Sequence, residues 1–331
     1  MKEKFDLNDI QIIPEIISEI SSRSEVDPYI NGKLPLITSP MYDVINTDNV
    51  DIFNKNKINT ILPRNLNNYE NKKFDFYAFG LNDEISVADN TGILIDIANG
   101  HMKSLINRIK EIKKEFPNNP LMVGNIARPE TFIELSLAGA DFVRLSIGSG
   151  TVCTTSANVG VNYPLGSLIS ETRKLKVANG LKAKIVVDGG MKSFTDIIKS
   201  LALGADYCMM GGIFAKAEES AAQKYLKRKG EEGYDKIEER RILYNYEPGL
   251  YSSYQGMSTK ESQKLMGNEV LKTGEGIKVY FKIEYNLSGW AENFEHYLRS
   301  AMSYTNSRNL EEFKESEYVF ITEQAFKRFN K

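Results

Sequence analysis

Short apolar runs rich in β-branched residues recur along the chain at 34–39, 58–63, 76–80, 92–97, 120–126, 142–147, 184–188 and 207–211. Most are continuously apolar rather than alternating, which is how strands buried on both faces of a parallel sheet read. Helical stretches fall between several of them. Residues 101–116 place Met102, Leu105, Ile106, Ile109, Ile112 and Phe116 near a 3.6-residue period. Residues 129–138 begin with a proline, which suits a first helical turn, and 193–203 form a third amphipathic stretch. Eight strands alternating with helices predict a (β/α)8 TIM barrel, with an open doubly wound sheet as the second choice. Segments 64–76 and 80–92 read as poor helices.

Beyond about residue 215 the pattern changes. Residues 216–241 are strongly charged and 242–285 are rich in Gly, Tyr and Ser. The chain is therefore expected to form one catalytic domain over 1–331, with 216–285 as a flap or mobile segment after strand eight. A solvated insertion without a role is the alternative. A closing helix near 291–304 carries Phe294, Tyr297, Leu298 and Met302 for packing on the barrel.

Composition narrows the classes. Hydrophobic residues make up 41% and charged residues 26%, with a net charge of −2; nothing in that balance suggests a nucleic-acid or membrane partner. The N-terminal stretch lacks the apolar core of a signal peptide, so a cytoplasmic location is expected. With two cysteines, Cys153 and Cys208, and two histidines, His101 and His296, neither a disulfide scaffold nor a histidine-rich metal site is expected.

The segment 147–155, IGSGTVCTT, carries the densest chemistry. It follows the sixth strand at the end where barrel active sites lie. Gly148 and Gly150 permit a tight turn, Thr151 offers a hydroxyl to an anion, and Cys153 is a candidate nucleophile if amides lower its pKa. Cys208, inside an apolar run, reads as an inert small hydrophobe. Asp188-Gly189-Gly190 and Gly211-Gly212 end strands seven and eight, the usual phosphate loops of this fold. Asp188 suits a ribose diol or a loop cap. Asp96, Asn99 and Gly100 end strand four and Asn125 ends strand five; they suit a second ligand or ordinary turns.

These segments together resemble the IMP dehydrogenase / GMP reductase family, nearly end to end from Phe5 to about Ile321. Residues 20–27 resemble its SRSEVD signature, Ser39-Pro40-Met41 the segment after its first strand, and 147–155 its catalytic loop. Val187-Asp188-Gly189-Gly190 and Met210-Gly211-Gly212 resemble its phosphate loops. Tyr254-Gln255-Gly256-Met257-Ser258 resembles its YRGM segment, and 298–304 its C-terminal helix. The resemblance implies that Cys153 attacks C2 of a purine nucleotide and that Thr155 assists proton transfer. It implies that Thr151, Gly189, Gly190, Gly211, Gly212 and Tyr254 hold the 5′-phosphate and that Ser39 and Asp188 hold the ribose. Met41, Gly256, Met257 and Ser258 would border the base. Asp96, with Asn99, Gly100 and Asn125, would border a nicotinamide cofactor. It further implies a homotetramer, and a monovalent cation, K+, on the carbonyls of Gly148, Gly150 and Cys153.

Within the family, the short link from Arg64 to Phe76 leaves no room for an inserted regulatory domain. Residues 271–276, LKTGEG, resemble the short reductase flap, whose glutamate is Glu275 here, and 96–100 resemble the reductase form DVANG. The resemblance thus favours NADPH-dependent reductive deamination of GMP to IMP. The alternatives are a minimal dehydrogenase using NAD+, a member acting on a modified purine, and a catalytically silent nucleotide-binding barrel. The sequence departs from the family's pattern at Ser149 for proline, Ser156 for arginine, Asn162 and Leu165, and Arg144-Leu145-Ser146 for KVG. Pro63-Arg64-Asn65 is closer to the dehydrogenase form.

Overall fold

A computed structural model describes residues 3–66, 72–227, 233–237, 249–267, 270–271, 273–274 and 276–329. Eight strands lie where the apolar runs predict them: β1 Leu36–Thr38, β2 Ile61–Leu62, β3 Phe76–Phe79, β4 Gly92–Asp96, β5 Leu121–Ile126, β6 Phe142–Leu145, β7 Lys184–Asp188 and β8 Tyr207–Met210. Each pairs in parallel with its sequence neighbour from β2 to β8, and β8 pairs with β1. The ring closes just before β2, where the Asn59 amide donates to Leu36 O at 3.0 Å and the Thr38 amide donates to Asn59 O at 2.9 Å. This is a (β/α)8 TIM barrel.

The parallel register explains the continuous apolar runs. Along each strand, alternate residues point into the barrel or out toward the helices. Ile37, Leu94, Met122, Val186 and Met209 pack together inside, while Leu36, Ile93, Ile95, Val123 and Val187 belong to the outer layer. Both sets are buried, so both faces of the sheet had to be apolar.

The helices follow the strands unevenly. The first is α1 Val50–Lys55; then come α2 Lys103–Glu115, α3 Pro129–Ala138, α4 Thr155–Val159, α5 Leu165–Ala178, α6 Phe194–Ala202 and α7 Gly212–Ala215. Among the described residues, no helix joins β2 to β3 or β3 to β4, in keeping with the weak helical pattern there. Helix α6 starts with a capping box in which Ser193 Oγ accepts the Asp196 amide and the Asp196 carboxylate accepts the Ser193 amide.

The described part of 216–285 forms a second, antiparallel sheet beside the barrel mouth. It contains β9 Lys224–Leu226, β10 Asp235–Lys236, β11 Leu250–Gln255 and β12 Lys278–Lys282, in the order β10-β9-β11-β12, with helix α8 Lys260–Leu265 between the last two. One face of β11 and β12 carries Ser252, Tyr254, Val279 and Phe281. The Ser252 hydroxyl donates to Ala215 O at 2.5 Å, tying that face to α7. Helix α9 Leu287–Tyr304 begins one turn earlier than the sequence pattern suggests, at Asn286, whose side chain accepts the Gly289 amide. It stacks Trp290 on Phe194 of α6 with ring centroids 5.1 Å apart. An N-terminal strand, Ile10–Ile12, pairs with Tyr318–Phe320, a ribbon with no clear sequence signal. No helix among the described residues is long and apolar enough to cross a membrane.

Candidate active site

The loop from β6 to α4 projects from the mouth of the barrel. Gly148 adopts φ +74°, and a Cβ there would lie 2.0 Å from Ser156 Oγ, so the loop closes only on glycine. The Cys153 amide donates to Gly150 O at 2.9 Å, which folds the thiol back over the turn. Its Sγ donates to Thr155 Oγ1 at 3.2 Å. Cys153 is partly exposed, whereas Cys208 is fully buried and burial pushes its thiol far up. The two cysteines therefore differ as the sequence pattern predicts.

Three other segments meet this loop. From β7, Gly189 and Gly190 adopt φ +79° and +81°, and a Cβ on Gly190 would sit 3.2 Å from Ser149 Cβ. From β8, a Cβ on Gly211 would sit 2.2 Å from Tyr254 Oη, and one on Gly212 would sit 3.4 Å from Thr151 Oγ1. From the flap, Tyr254 is buried, its hydroxyl donating to Met41 Sδ at 3.1 Å. Burial raises the Tyr254 pKa, so the phenol stays protonated. Glycine-lined turns, one threonine and one neutral phenol thus converge, a donor-rich cradle whose chemistry could hold a phosphate.

The flap pairs through its backbone with the loop that carries Cys153. The Ile277 amide donates to Val152 O at 3.0 Å, the Gly256 amide donates to Ile277 O at 3.2 Å, and Gly276 bridges to Cys153. A Cβ on Gly256 would sit 3.0 Å from Val152 O. Met257 packs on the core, and Ser258 O accepts Gln263 Nε2 at 2.8 Å. Glu275 lies outside the described residues. Ser39 is buried after β1, its amide donating to Met210 O at 2.9 Å.

Also at the mouth, Asp96 and Asp188 end β4 and β7, and Arg144 is the last residue but one of β6. Arg144 donates through Nη1 to Asp96 Oδ1 and through Nη2 to Asp188 Oδ2, each at 2.6 Å. Burial opposes the Arg144 charge, but Asp188 and Asp96 outweigh it and raise its pKa. Asn125 Nδ2 donates both to Asp188 Oδ2 at 2.8 Å and to Ser146 O at 2.9 Å. Asn99 is exposed and its Oδ1 accepts the His101 amide at 3.0 Å. Gly100 is buried, its amide donating to Asn125 O at 2.7 Å; a Cβ there would strike that same oxygen at 2.7 Å. Gly100 is thus accounted for by backbone packing, while Asp96 and the exposed turn at 98–99 face the mouth.

Two participants escape a motif reading. Arg144 registers in the sequence only as a departure from a pattern, although a charged residue inside an apolar strand run is itself a signal. Asp43, in the loop after β1, accepts the Gln255 amide at 2.9 Å and so ties down the end of β11. Burial pushes its carboxyl up to about 6, against the pull of the Gln255 amide and of Lys278 and Lys224.

A barrel whose glycine loops, threonine and flap tyrosine surround a thiol defines a class that sequence comparison then identifies. Residues 83–329 match the IMP dehydrogenase / GMP reductase domain, and the chain belongs to that family. Among curated relatives, it is 30% identical to a GMP reductase of Staphylococcus epidermidis, over 97% of this chain and 98% of the relative. It is 28% identical to a GMP reductase of Caenorhabditis elegans, over 97% and 93% of the two chains. With human GMP reductase 2 it shares 26% identity over 97% and 95%.

Proposed function

We propose that this chain is a GMP reductase, catalysing NADPH-dependent reductive deamination of GMP to IMP and ammonia. The observation that carries the reading is the Cys153 thiol, 3.2 Å from Thr155 Oγ1, beside a glycine-lined cradle at the mouth of a barrel of this family. In this reading the GMP phosphate lies among Thr151, Gly190, Gly211, Gly212 and Tyr254, with the ribose against Asp188 and Ser39. Cys153, having lost its proton to solvent, adds through sulfur to C2. The C2–N bond then breaks, and ammonia leaves with a proton passed through Thr155 from Glu275. That leaves the purine joined to sulfur as a thioimidate. Splitting a difficult aromatic substitution into addition and elimination is what a thiol nucleophile contributes.

NADPH, when bound, would supply a hydride to C2; the C2–S bond would then break, its electron pair leaving with sulfur, so that IMP is released and the Cys153 thiolate is restored. Asp96 and the exposed turn at 98–99 offer a polar shelf that fits an amide-bearing ring. In this reading the backbone carbonyls of Gly148, Gly150 and Cys153 would offer oxygen donors to a K+ ion, since carbonyl oxygen suits hard cations. The same reading carries a homotetramer and a cytoplasmic location.

Paired assays at 340 nm test the direction. GMP with NADPH should consume the reduced cofactor. Production of reduced cofactor from IMP and NAD+ would instead assign the dehydrogenase reaction, and binding of nucleotide without turnover in either mixture would assign a silent barrel.

A further inference from the structure

Arg144 sits in the top interior layer of the barrel. Counting up two residues from the interior positions Leu94, Met122, Phe142 and Val186 reaches Asp96, Gly124, Arg144 and Asp188 on four successive strands. The registers place Asp96 beside Gly124 and Gly124 beside Arg144. Gly124 has no side chain to occupy its place in the layer. A Cβ there would lie 2.6 Å from Arg144 Cβ. Its absence lets the guanidinium lie across β5 and reach Asp96 on β4 with one arm while the other holds Asp188 on β7.

The exposures show which atoms the ligands would meet. The Arg144 side chain is 6% exposed, against 18% for Asp96 and 15% for Asp188. Arg144 Nη2 and Asn125 Nδ2 both approach Oδ2 of Asp188 and Arg144 Nη1 approaches Oδ1 of Asp96. Among the described residues, the other oxygen of each carboxylate has no protein donor. One buried cation therefore orients two carboxylates that each keep an acceptor for the mouth. A guanidinium can do this because its planar fork offers donors at fixed angles; an ammonium is a point charge that serves one carboxylate well at a time. Arg144 Nε is buried without a partner, so the fork is held by its two ends alone.

We infer that Arg144 is a positioning residue that links the two ligand sites: fixing Asp188 for the purine nucleotide also fixes Asp96 for the nicotinamide cofactor. It touches neither ligand. The inference rests on the GMP reductase reading, in which Asp188 meets the ribose and Asp96 the cofactor. Binding either ligand orders its carboxylate, stiffens the shared fork and readies the other carboxylate, so each ligand tightens the other by the same factor.

Calorimetry on the full-length protein with GMP, alone and with saturating NADP+, tests this without turnover. Wild type should bind GMP about fivefold or more tightly when NADP+ is present, the lower end of ordinary coupling between sites. In Arg144→Lys, which keeps the charge but loses the fork, that factor should fall below about twofold. Asp96→Asn, which keeps Arg144, should lose the coupling likewise and still report if Arg144→Lys does not fold. Coupling that stays at the wild-type factor in a folded variant would show that the ligands communicate directly and would overturn the inference. Tight GMP binding by wild type with no effect of NADP+ would overturn it too, leaving the functional reading intact. A wild-type protein that binds no GMP would sink the functional reading itself, and this inference with it.

Discussion

The barrel holds a buried cluster of charge at each end, and the two have opposite stoichiometry. At the mouth, one cation, Arg144, serves two carboxylates and leaves each with an open oxygen. At the base, before β8, one carboxylate serves three cations: Asp206 is 1% exposed and meets Lys176, Lys184 and Lys314 at 2.8, 3.5 and 2.6 Å. Its Oδ2 also accepts the Ile185 amide at 2.7 Å. Burial would raise the Asp206 pKa, but Lys314 and Lys176 overcome it and hold it at about 2. The base cluster is saturated, so it can only hold strands together. The mouth cluster is short of donors, so it can also receive a ligand. Buried charge is costly in both places; what differs is whether the partners complete it.

That contrast predicts that substitutions at the mouth change turnover and spare stability, while those at the base do the reverse. The largest effect is expected at Cys153. Replacing it with alanine should lower kcat by at least about a thousandfold, the scale of losing a nucleophile, while GMP binding by calorimetry and the thermal midpoint stay near wild type. Wild-type rates would remove the covalent step.

Asp206→Ala should come next. It leaves Lys176, Lys184 and Lys314 facing one another around an empty place, at a cost of about 3–5 kcal/mol, read as a lower midpoint in denaturant with unchanged kcat in the folded protein. The same group sets a pH dependence. Its folded pKa, about 2, lies below its ordinary 3.8, so its contribution is complete above about pH 4 and fades as pH falls toward 2. Asp206→Asn should abolish that part of the acid profile, worth roughly 2 kcal/mol. A slower reaction in either variant would break the division between the two ends.

Glu275→Gln should slow ammonia release by roughly a hundredfold, the scale of a lost general acid, with the nucleotide dissociation constant unchanged. An unaltered single-turnover rate would remove Glu275 from the mechanism.

The smallest effect is expected where flap and barrel meet. Asp43 has a folded pKa of about 6, above its ordinary 3.8. Its ionised form therefore costs stability: the penalty is absent below about pH 4, grows as pH rises toward 6 and is complete above. Asp43→Asn keeps an acceptor for the Gln255 amide and removes the charge. It should raise stability by roughly 1–3 kcal/mol at pH 8 and by nothing near pH 4. Equal midpoints for wild type and variant at pH 8 would show that Lys278 and Lys224 compensate the buried carboxylate in full.

How much of this was legible before the fold was known depends on the range over which each feature is decided. The eight strands were legible because a parallel strand buried on both sides must be apolar throughout. Helix α3 was legible to the residue because its proline start is local, and its end is marked by Gly139, which adopts φ +117°. The tight turn after β6 could be read because Gly148 and Gly150 sit a few residues from the thiol whose loop they shape. Arg144 was visible as an oddity, not as a participant, because its two carboxylates lie 48 and 44 residues away in the chain. The packing at Gly100 was not legible, because the carbonyl of Asn125 that leaves no room for a Cβ there comes from the next strand. The second sheet was not legible because its strands, such as Lys224–Leu226 and Lys278–Lys282, are three and five residues long, too short for a period to separate from loop.

By itself, then, the amino-acid sequence determined the barrel and the glycine turns around Cys153, since each follows from periodicity or from conformations available to single residues. Only the tertiary structure decided that Arg144 joins two carboxylates across Gly124, that Asp43 ties the flap to the barrel and that Asp206 gathers three lysines. Those are relations between strand ends and loops far apart in the chain. Closing the barrel brings them together, and only then does burial make a charge's partners matter.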